Sequence, residues 1–219
     1  MKMPWFYYVV ATLIRAVLLL FTHCKVNGRE NIPAEGAVIL VANHLALADP
    51  PVLGAAVPRQ VRFMAKHELF RPKIVGYIMR GIGAFPVQRG RMNRTALGQA
   101  DQFLAEGMVM VVFPEGKRSK NNQLQSALPG SMLLAVRNRV PMVPVGMSGT
   151  ERMKGVTWLF QRPEITINIG KPFFLSSGDG KPSKADLTGL SHLVMRHIAE
   201  QLPTTYRGGY MEGLNGIEN

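Results

Sequence analysis

A histidine and an aspartate stand five positions apart where an apolar run of the chain ends. The run 37–42 (AVILVA) is followed by His44, and Asp49 comes just before two prolines. A neutral imidazole can remove a proton from a hydroxyl group, and a neighbouring carboxylate can orient the ring and stabilise its charged form. The residue types therefore predict a histidine base with an aspartate partner, although the same spacing also arises by chance.

The two side chains can reach each other only if the chain turns between them. On a continuous helix an offset of five residues rotates about 140° around the axis, which would point the side chains apart. Pro50 and Pro51 disfavour helix before them and suit the first turn after them. A helix is therefore predicted to begin near residues 50–51, with Asp49 serving both as its cap and as the partner of the imidazole.

Three later blocks place prolines, glycines or cations at the ends of short apolar runs. They are residues 83–90 (GAFPVQRG), 111–119 (VVFPEGKRS) and 140–146 (VPMVPVG). In the block 111–119, a glycine allows backbone N–H groups to approach an oxyanion, and the two cations suit a phosphate. Many loops between a strand and a helix are charged, so this block taken alone also fits an ordinary loop.

In their order along the chain, these four blocks resemble the four motifs of the glycerolipid acyltransferases, and most closely those of the lysophosphatidic acid acyltransferases. The matching segments are 44–49, 83–89, 113–119 and 140–146, and 65–70 (AKHELF) is similar to a Lys-x-Glu-Leu stretch of the family. The resemblance implies an enzyme that moves a fatty acyl group from a thioester to the free hydroxyl of lysophosphatidic acid, which gives phosphatidic acid.

The same resemblance implies how the reaction proceeds. His44 would be the general base and Asp49 would hold it, and the hydroxyl of the substrate would attack the thioester directly, without an acyl-enzyme. The lack of a Gly-x-Ser-x-Gly nucleophile motif in the sequence agrees with this expectation. The co-substrate would be acyl-CoA or an acyl carrier protein thioester, with no bound cofactor and no metal.

The resemblance also assigns the phosphate of the acceptor to the second and third blocks. It makes Arg89 and Arg118 the binding groups and lets Glu115 and Gly116 shape the loop. Lys66 is a further candidate, since lysine supplies a mobile point charge where arginine pairs with phosphate through two hydrogen bonds.

Two positions depart from the family pattern. Lys117 stands where threonine is usual, and Ala46 stands where serine is common. The first change adds a positive charge beside the phosphate loop, and the second removes a hydroxyl near the catalytic turn. Acylation of glycerol 3-phosphate or of another lysophospholipid is therefore the alternative function.

The elements around these blocks predict a single-domain α/β sandwich with a central, largely parallel sheet flanked by helices. Apolar runs typical of buried strands lie at 37–42, 60–65, 108–113 and 141–149, and an alternating run lies at 164–170. Helical patterns lie at 93–107, 130–138 and 186–202. Because ligand groups gather at the carboxyl ends of parallel strands, the block that contains His44 is expected at such an end.

An apolar segment near the amino terminus adds a second region. Residues 5–22 hold one charge, Arg15, and at helical spacing the polar side chains Tyr8, Thr12, Arg15 and Thr22 share one stripe. This pattern predicts a membrane-embedded or interfacial helix, with a cleaved signal peptide and a buried core helix as alternatives. The predicted organisation is a membrane-associated helix at 1–30, an acyltransferase domain at 31–203 and a loosely held tail at 204–219.

The charge balance predicts an anionic partner. The 219 residues include 26 Lys and Arg against 14 Asp and Glu, a formal charge of +12. Residues 58–94 hold nine of these cations and one acid among apolar side chains, which favours anionic membrane lipid over a plain solvated face. No nucleic-acid motif is present, so nucleic acid is not expected as a partner, and the protein is predicted at the cytoplasmic face of the cell membrane.

Overall fold

A computed structural model describes residues 4–87, 94–175 and 183–210. Within these residues, seven strands and seven helices follow one another along the chain. The strands are β1 (His23–Asn27), β2 (Val38–Ala42), β3 (Val61–Lys66), β4 (Ala84–Val87), β5 (Val109–Val112), β6 (Met142–Ser148) and β7 (Glu164–Ile169). The helices are α1 (Pro4–Phe21), α2 (Asp49–Ala56), α3 (Lys73–Gly81), α4 (Arg94–Ala105), α5 (Leu133–Asn138), α6 (Trp158–Gln161) and α7 (Lys184–Glu200).

The strands form one sheet in the order β1-β7-β6-β2-β5-β3-β4. The pairs β1/β7, β2/β6, β2/β5, β3/β5 and β3/β4 are parallel, and the pair β6/β7 is antiparallel. Helices cover both faces: α1 and α2 pack on one side, and α4, α5 and α7 pack on the other. The predicted α/β sandwich with a largely parallel central sheet is confirmed.

The central strands follow the predicted apolar runs closely. Every side chain of β2, β5 and β6 is buried, as a strand covered by helices on both faces requires. By contrast, β7 alternates buried and less buried positions, and it lies next to the edge strand β1. The predicted strands therefore lie where the runs of Val, Ile and Met are longest.

The edge strand β1 was not predicted. Its sequence, HCKVN, has no apolar run, and its side chains alternate between exposed and half-buried. The strand forms because its backbone pairs in parallel with β7, from His23 opposite Glu164 to Asn27 opposite Asn168. Pairing of this kind leaves little trace in residue type, because the outer edge of the strand faces solvent.

Helix α1 docks on the domain through one narrow face. Tyr7 is buried, and its hydroxyl donates to Gly54 O and accepts from Val61 N, each at 3.2 Å. The Arg15 side chain, which the sequence places on the polar stripe, donates to two carbonyls at the carboxyl end of α2. The polar residues of α1 thus tie the helix to the protein, and part of the helix belongs to the core.

The outer face of α1 remains apolar and exposed. It presents to solvent the large side chains Trp5, Val9, Leu13, Val17, Leu19 and Leu20. Among the described helices, none combines the length and the apolar character needed to cross a bilayer.

The first part of the carboxyl-terminal tail is packed, which differs from the prediction of a loosely held segment from residue 204. Residues 204–210 form two short 3-10 turns. Leu124 N donates to Tyr206 O at 2.8 Å, and the Tyr206 hydroxyl donates to Glu151 Oε1 at 2.7 Å. The tail is ordered here because a tyrosine satisfies a buried carboxylate, which sequence pattern does not reveal; residues 211–219 lie outside the described part of the chain.

Candidate active site

The order of the strands brings the predicted site residues to one edge of the sheet, the one formed by the carboxyl ends of its parallel central strands. Strands β2, β5, β3 and β4 are adjacent and parallel, so their carboxyl ends lie side by side. His44 follows β2, Glu115 follows β5, and Lys66 ends β3. The block after β4 reaches Arg89, which lies outside the described residues.

His44 and Asp49 are in direct contact. The distance from His44 Nδ1 to Asp49 Oδ2 is 2.7 Å, and Asp49 is completely buried. The same Oδ2 atom accepts from the backbone N–H groups of Leu45 and Ala46 at 2.6 and 2.8 Å. Because an ionised carboxylate only accepts, a neutral imidazole here donates from Nδ1 and keeps its lone pair on Nε2.

The loop between the two residues is held by Asp49 itself. Helix α2 begins at Asp49, with Pro50 and Pro51 in its first turn, as the sequence predicts. The predicted role of Asp49 as a helix cap is wrong, because the N-cap residue is Ala48 and no side chain caps the helix. The carboxylate instead turns back toward the loop amides before the helix, which leaves it aligned with the imidazole.

The loop after β5 holds the backbone of His44 from both sides. Glu115 Oε1 accepts from His44 N at 2.9 Å, and Ser119 N donates to His44 O at 2.8 Å. The ring of Phe113 stacks on the imidazole, with centroids 4.4 Å apart. The His44 side chain is 18% exposed, so most of the ring is covered by its neighbours. The third block therefore positions His44, a role that the sequence did not indicate.

Asn43 fixes the end of β2 to the neighbouring strand. Its side-chain amide donates to Met147 O at 2.8 Å and accepts from Met147 N at 2.7 Å. A buried asparagine paired in this way replaces a backbone partner where the two strands diverge. The signal in the sequence is a polar residue directly after a fully apolar run.

Glu115 is buried beside the dyad rather than open to a ligand. It is 2% exposed, and its second oxygen, Oε2, has no hydrogen-bond partner among the described residues. Burial raises the pKa of this carboxyl to about 7, against the lowering effect of the His44 N–H, and the nearby Asp49 charge raises it further. The predicted role of Glu115, shaping the loop after β5, fits this buried position against the His44 backbone.

The raised pKa predicts how stability depends on pH. Between about pH 4.5 and pH 7 the folded protein keeps a proton on Glu115 that the unfolded chain has lost, so the free energy of unfolding falls as pH rises. Replacing Glu115 by glutamine, which can still accept from His44 N, is expected to flatten this dependence. Urea unfolding of both proteins at pH 5 and pH 7.5 measures it, and an equal fall in both would contradict the assignment.

The remaining phosphate candidates occupy the same edge. Arg118 is exposed, and Lys66 lies 3.1 Å from Glu68 with both side chains about half exposed. Gly116 has a φ of 66°, and a Cβ atom there would lie 2.4 Å from a side-chain carbon of Leu128. This left-handed conformation favours glycine at the turn, two residues before Arg118.

Since Nδ1 of His44 is taken by Asp49, Nε2 is the ring nitrogen that is left to accept a proton from a hydroxyl group. Among the described residues, no group of three or more His, Cys, Asp or Glu side chains is arranged to hold a metal ion. The chemistry that these residues support is therefore proton removal beside a cationic loop.

Comparison with known proteins places this geometry in context. Residues 23–148 match the family described as Acyltransferase. A protein of Bacillus subtilis named 1-acyl-sn-glycerol-3-phosphate acyltransferase is 28% identical over 89% of this chain and 96% of its own length. A protein of the same name from Streptococcus pneumoniae is 32% identical over 73% of this chain and 60% of its own length.

One solved structure shares the fold. The crystal structure of the 1-acyl-sn-glycerophosphate (LPA) acyltransferase PlsC from Thermotoga maritima superposes with a TM-score of 0.66 at 28% sequence identity. The match covers 89% of this chain and 79% of that one.

Proposed function

We infer that this chain, which belongs to the acyltransferase family, acylates lysophosphatidic acid to phosphatidic acid. The observation that carries this inference is the 2.7 Å contact between His44 and Asp49 at the edge of the sheet where the cationic loop also lies. The names of relatives that match most of this chain support the same acceptor.

His44 acts in this mechanism as the general base. A glycerol hydroxyl is a poor nucleophile at neutral pH, and a positioned base accelerates its attack by about 10²–10⁴-fold. The contact with Asp49 holds Nδ1 as the donor, so Nε2 is the atom that receives the proton. The buried carboxylate then stabilises the imidazolium as it forms.

The reaction exchanges one bond for another in a single transfer. The hydroxyl oxygen of the acceptor forms a bond with the thioester carbonyl carbon while its proton passes to Nε2 of His44. The C–S bond of the tetrahedral intermediate then breaks, and the proton leaves with the thiol. The products are phosphatidic acid and a free thiol, and no covalent enzyme intermediate forms.

The acceptor phosphate is proposed to bind at the cations around the loop after β5. Arg118, Lys66 and Arg89 are the candidate groups, and arginine suits a phosphate because its planar fork makes two parallel hydrogen bonds. Gly116 allows the turn that carries Arg118, and Glu115 holds the same loop against His44. The acyl donor is proposed to be acyl-CoA or an acyl carrier protein thioester.

An assay with purified protein tests the function. Each acyl donor is combined with lysophosphatidic acid, glycerol 3-phosphate or a lysophospholipid without a free phosphate, and the products are identified by mass. Phosphatidic acid is the expected product, and its absence with both donors would overturn the proposal. Acylation of glycerol 3-phosphate alone would favour the alternative acceptor.

We also propose that the protein binds the cytoplasmic face of the cell membrane through anionic lipid. The outer face of α1 supports this, because its large apolar side chains remain exposed after the inner face has docked on the domain. Exposed apolar surface of this kind, beside a net charge of +12, suits an anionic lipid interface.

Charged residues on the outer face of α1 are expected to release the protein from membranes. Leu13 and Leu20 are 61% and 63% exposed, so replacing both by glutamate removes no packing of the domain. Cosedimentation with anionic vesicles should be lost while the melting temperature stays unchanged. Undiminished cosedimentation would contradict a lipid-facing α1; deleting the helix is a poorer test, because Tyr7 and Arg15 also anchor it to α2.

A further inference from the structure

A short segment after β6 exposes apolar side chains that the fold does not use. In residues 152–162, Phe160 is 88% exposed and Val156 is 71% exposed, on and beside the short helix α6. Singly exposed apolar residues are common. Phe160, however, is the most exposed of the large apolar side chains that the structure describes, and Val156 lies four positions before it. The segment also holds Arg152, Lys154 and Arg162 and contains no acid.

Strand register places this segment at the same edge of the sheet as the dyad. Ala42 of β2 pairs in parallel with Val145, so both strands end on the side where His44 follows. Strand β7 runs back antiparallel to β6, with Ser148 opposite Thr166. The connection that carries α6 therefore crosses the edge from which His44 and Glu115 project.

Helix α1 reaches the same edge. It leads into β1, whose first residue, His23, pairs with Glu164 at the start of β7. Helix α6 packs against α1 there. Helix α6 and the carboxyl-terminal end of α1 thus lie at the same end of the sheet as His44, and His23 N donates to Pro163 O just after α6.

We propose that segment 152–162 inserts into the surface of an anionic phospholipid bilayer and turns the catalytic edge toward the membrane. The proposal rests on the proposed function, because both the acceptor and the product of that reaction reside in the bilayer. It adds the part of the protein that would contact the membrane during the reaction. Phe160 and Val156 supply apolar contact, and the cations around them meet the lipid phosphates.

Charge favours lipid over another protein copy as the occupant. A second copy would bring the same formal charge of +12 against Lys154 and Arg162, whereas an anionic bilayer offers an apolar layer beneath a negative surface. Arg152 is partly engaged already, with its Nε 3.9 Å from Glu151. The other two cations are exposed.

Tryptophan fluorescence tests the contact without any turnover. The chain has two tryptophans, Trp5 and Trp158, so Trp5→Phe leaves a single reporter inside the segment. Equimolar vesicles of phosphatidylglycerol and phosphatidylcholine with brominated acyl chains are expected to quench Trp158. Protein that binds the vesicles while the fluorescence of Trp158 stays unquenched would overturn the proposal. A dimer that forms without lipid and buries Trp158 in its interface would overturn it as well.

A matched pair of variants tests the consequence for activity. Phe160→Ala is compared with Phe174→Ala, which removes an aromatic side chain that is 67% exposed. Phe174 lies at the opposite edge of the sheet, since its neighbour Phe173 bridges to Met142 at the start of β6. Phe160→Ala should weaken vesicle binding by about tenfold, and Phe174→Ala should leave it unchanged.

Two forms of acceptor separate this proposal from the proposed function. With lysophosphatidic acid presented in vesicles, Phe160→Ala should lose about tenfold in rate. With a short-chain acceptor dissolved as monomer, both variants should match the parent protein. Equal losses of rate in the two variants would overturn the proposed membrane contact of segment 152–162. If the parent protein shows no turnover at all, the proposed function is wrong. The quenching of Trp158 would then still test the membrane contact.

Discussion

Replacing His44 by alanine is expected to lower the rate of acyl transfer by about 10²–10⁴-fold, because the variant has no base within reach of the acceptor hydroxyl. Asp49 keeps its bonds from the Leu45 and Ala46 N–H groups, so the turn retains its shape. The free energy of unfolding and vesicle binding are expected to change little. Steady-state rates with lysophosphatidic acid, urea unfolding and cosedimentation with vesicles measure the three effects.

A second histidine provides a control with similar contacts. His197 Nδ1 lies 3.2 Å from Glu200 Oε2, and its ring lies 4.2 Å from that of Phe173. His197→Ala therefore removes a hydrogen-bond partner of Glu200 and an aromatic contact from α7, but it does not touch the proposed base. Full activity in His197→Ala together with a large loss of activity in His44→Ala would support His44 as the general base. If His44→Ala kept its activity, His44 would not be the base.

Replacing Asp49 by asparagine is expected to slow transfer by roughly a hundredfold, because hydrogen bonds to a charged acceptor are worth up to about 3 kcal/mol. The carbonyl oxygen of asparagine can take the place of Oδ2 and keep the tautomer of His44. What is lost is the negative charge that stabilises the imidazolium. Since Asp49 acts through His44 and not on the substrate, kcat should fall while KM for both substrates stays unchanged.

Asp101 offers the matched substitution elsewhere in the fold. Its carboxylate accepts from Asn138 at 2.8 Å and lies 3.0 Å from Arg137. Asp101→Asn also removes a charge from a hydrogen-bonded aspartate, but on α4. A rise in KM without a fall in kcat for Asp49→Asn, or an equal loss of rate in both variants, would count against the positioning role.

The interior of the fold was predictable because burial leaves a mark on residue type. Strands covered on both faces need continuous apolar runs, and three of the four such runs predicted here became the fully buried strands β2, β5 and β6. The fourth became β3, which lies beside the edge strand β4 and is only partly buried. The edge strand β1 escaped prediction because its pairing uses backbone groups of β7, which any residue possesses. The helix-cap role predicted for Asp49 was wrong for a related reason. Its carboxylate could accept hydrogen bonds either from the first N–H groups of α2 or from those of the preceding loop, and only the geometry of the turn decides between them.

The candidate site, too, was predictable only in part. His44 and Asp49 were predicted from their types and from the prolines that end the turn, and their contact at 2.7 Å agrees. The roles of Glu115, Phe113 and Ser119 around the histidine were not predicted, because these residues are about 70 positions away in the chain. They meet it only through the pairing of β2 with β5.

The sequence by itself determined the groups available for chemistry, the class of fold and the excess of positive charge, since these follow from residue type and local spacing. Tertiary structure alone decided which backbone groups hold His44, that Glu115 is buried beside it, and which apolar side chains stay uncovered. The physical reason is that burial and long-range hydrogen bonding are properties of an environment. A residue acquires that environment only when distant strands and helices close around it.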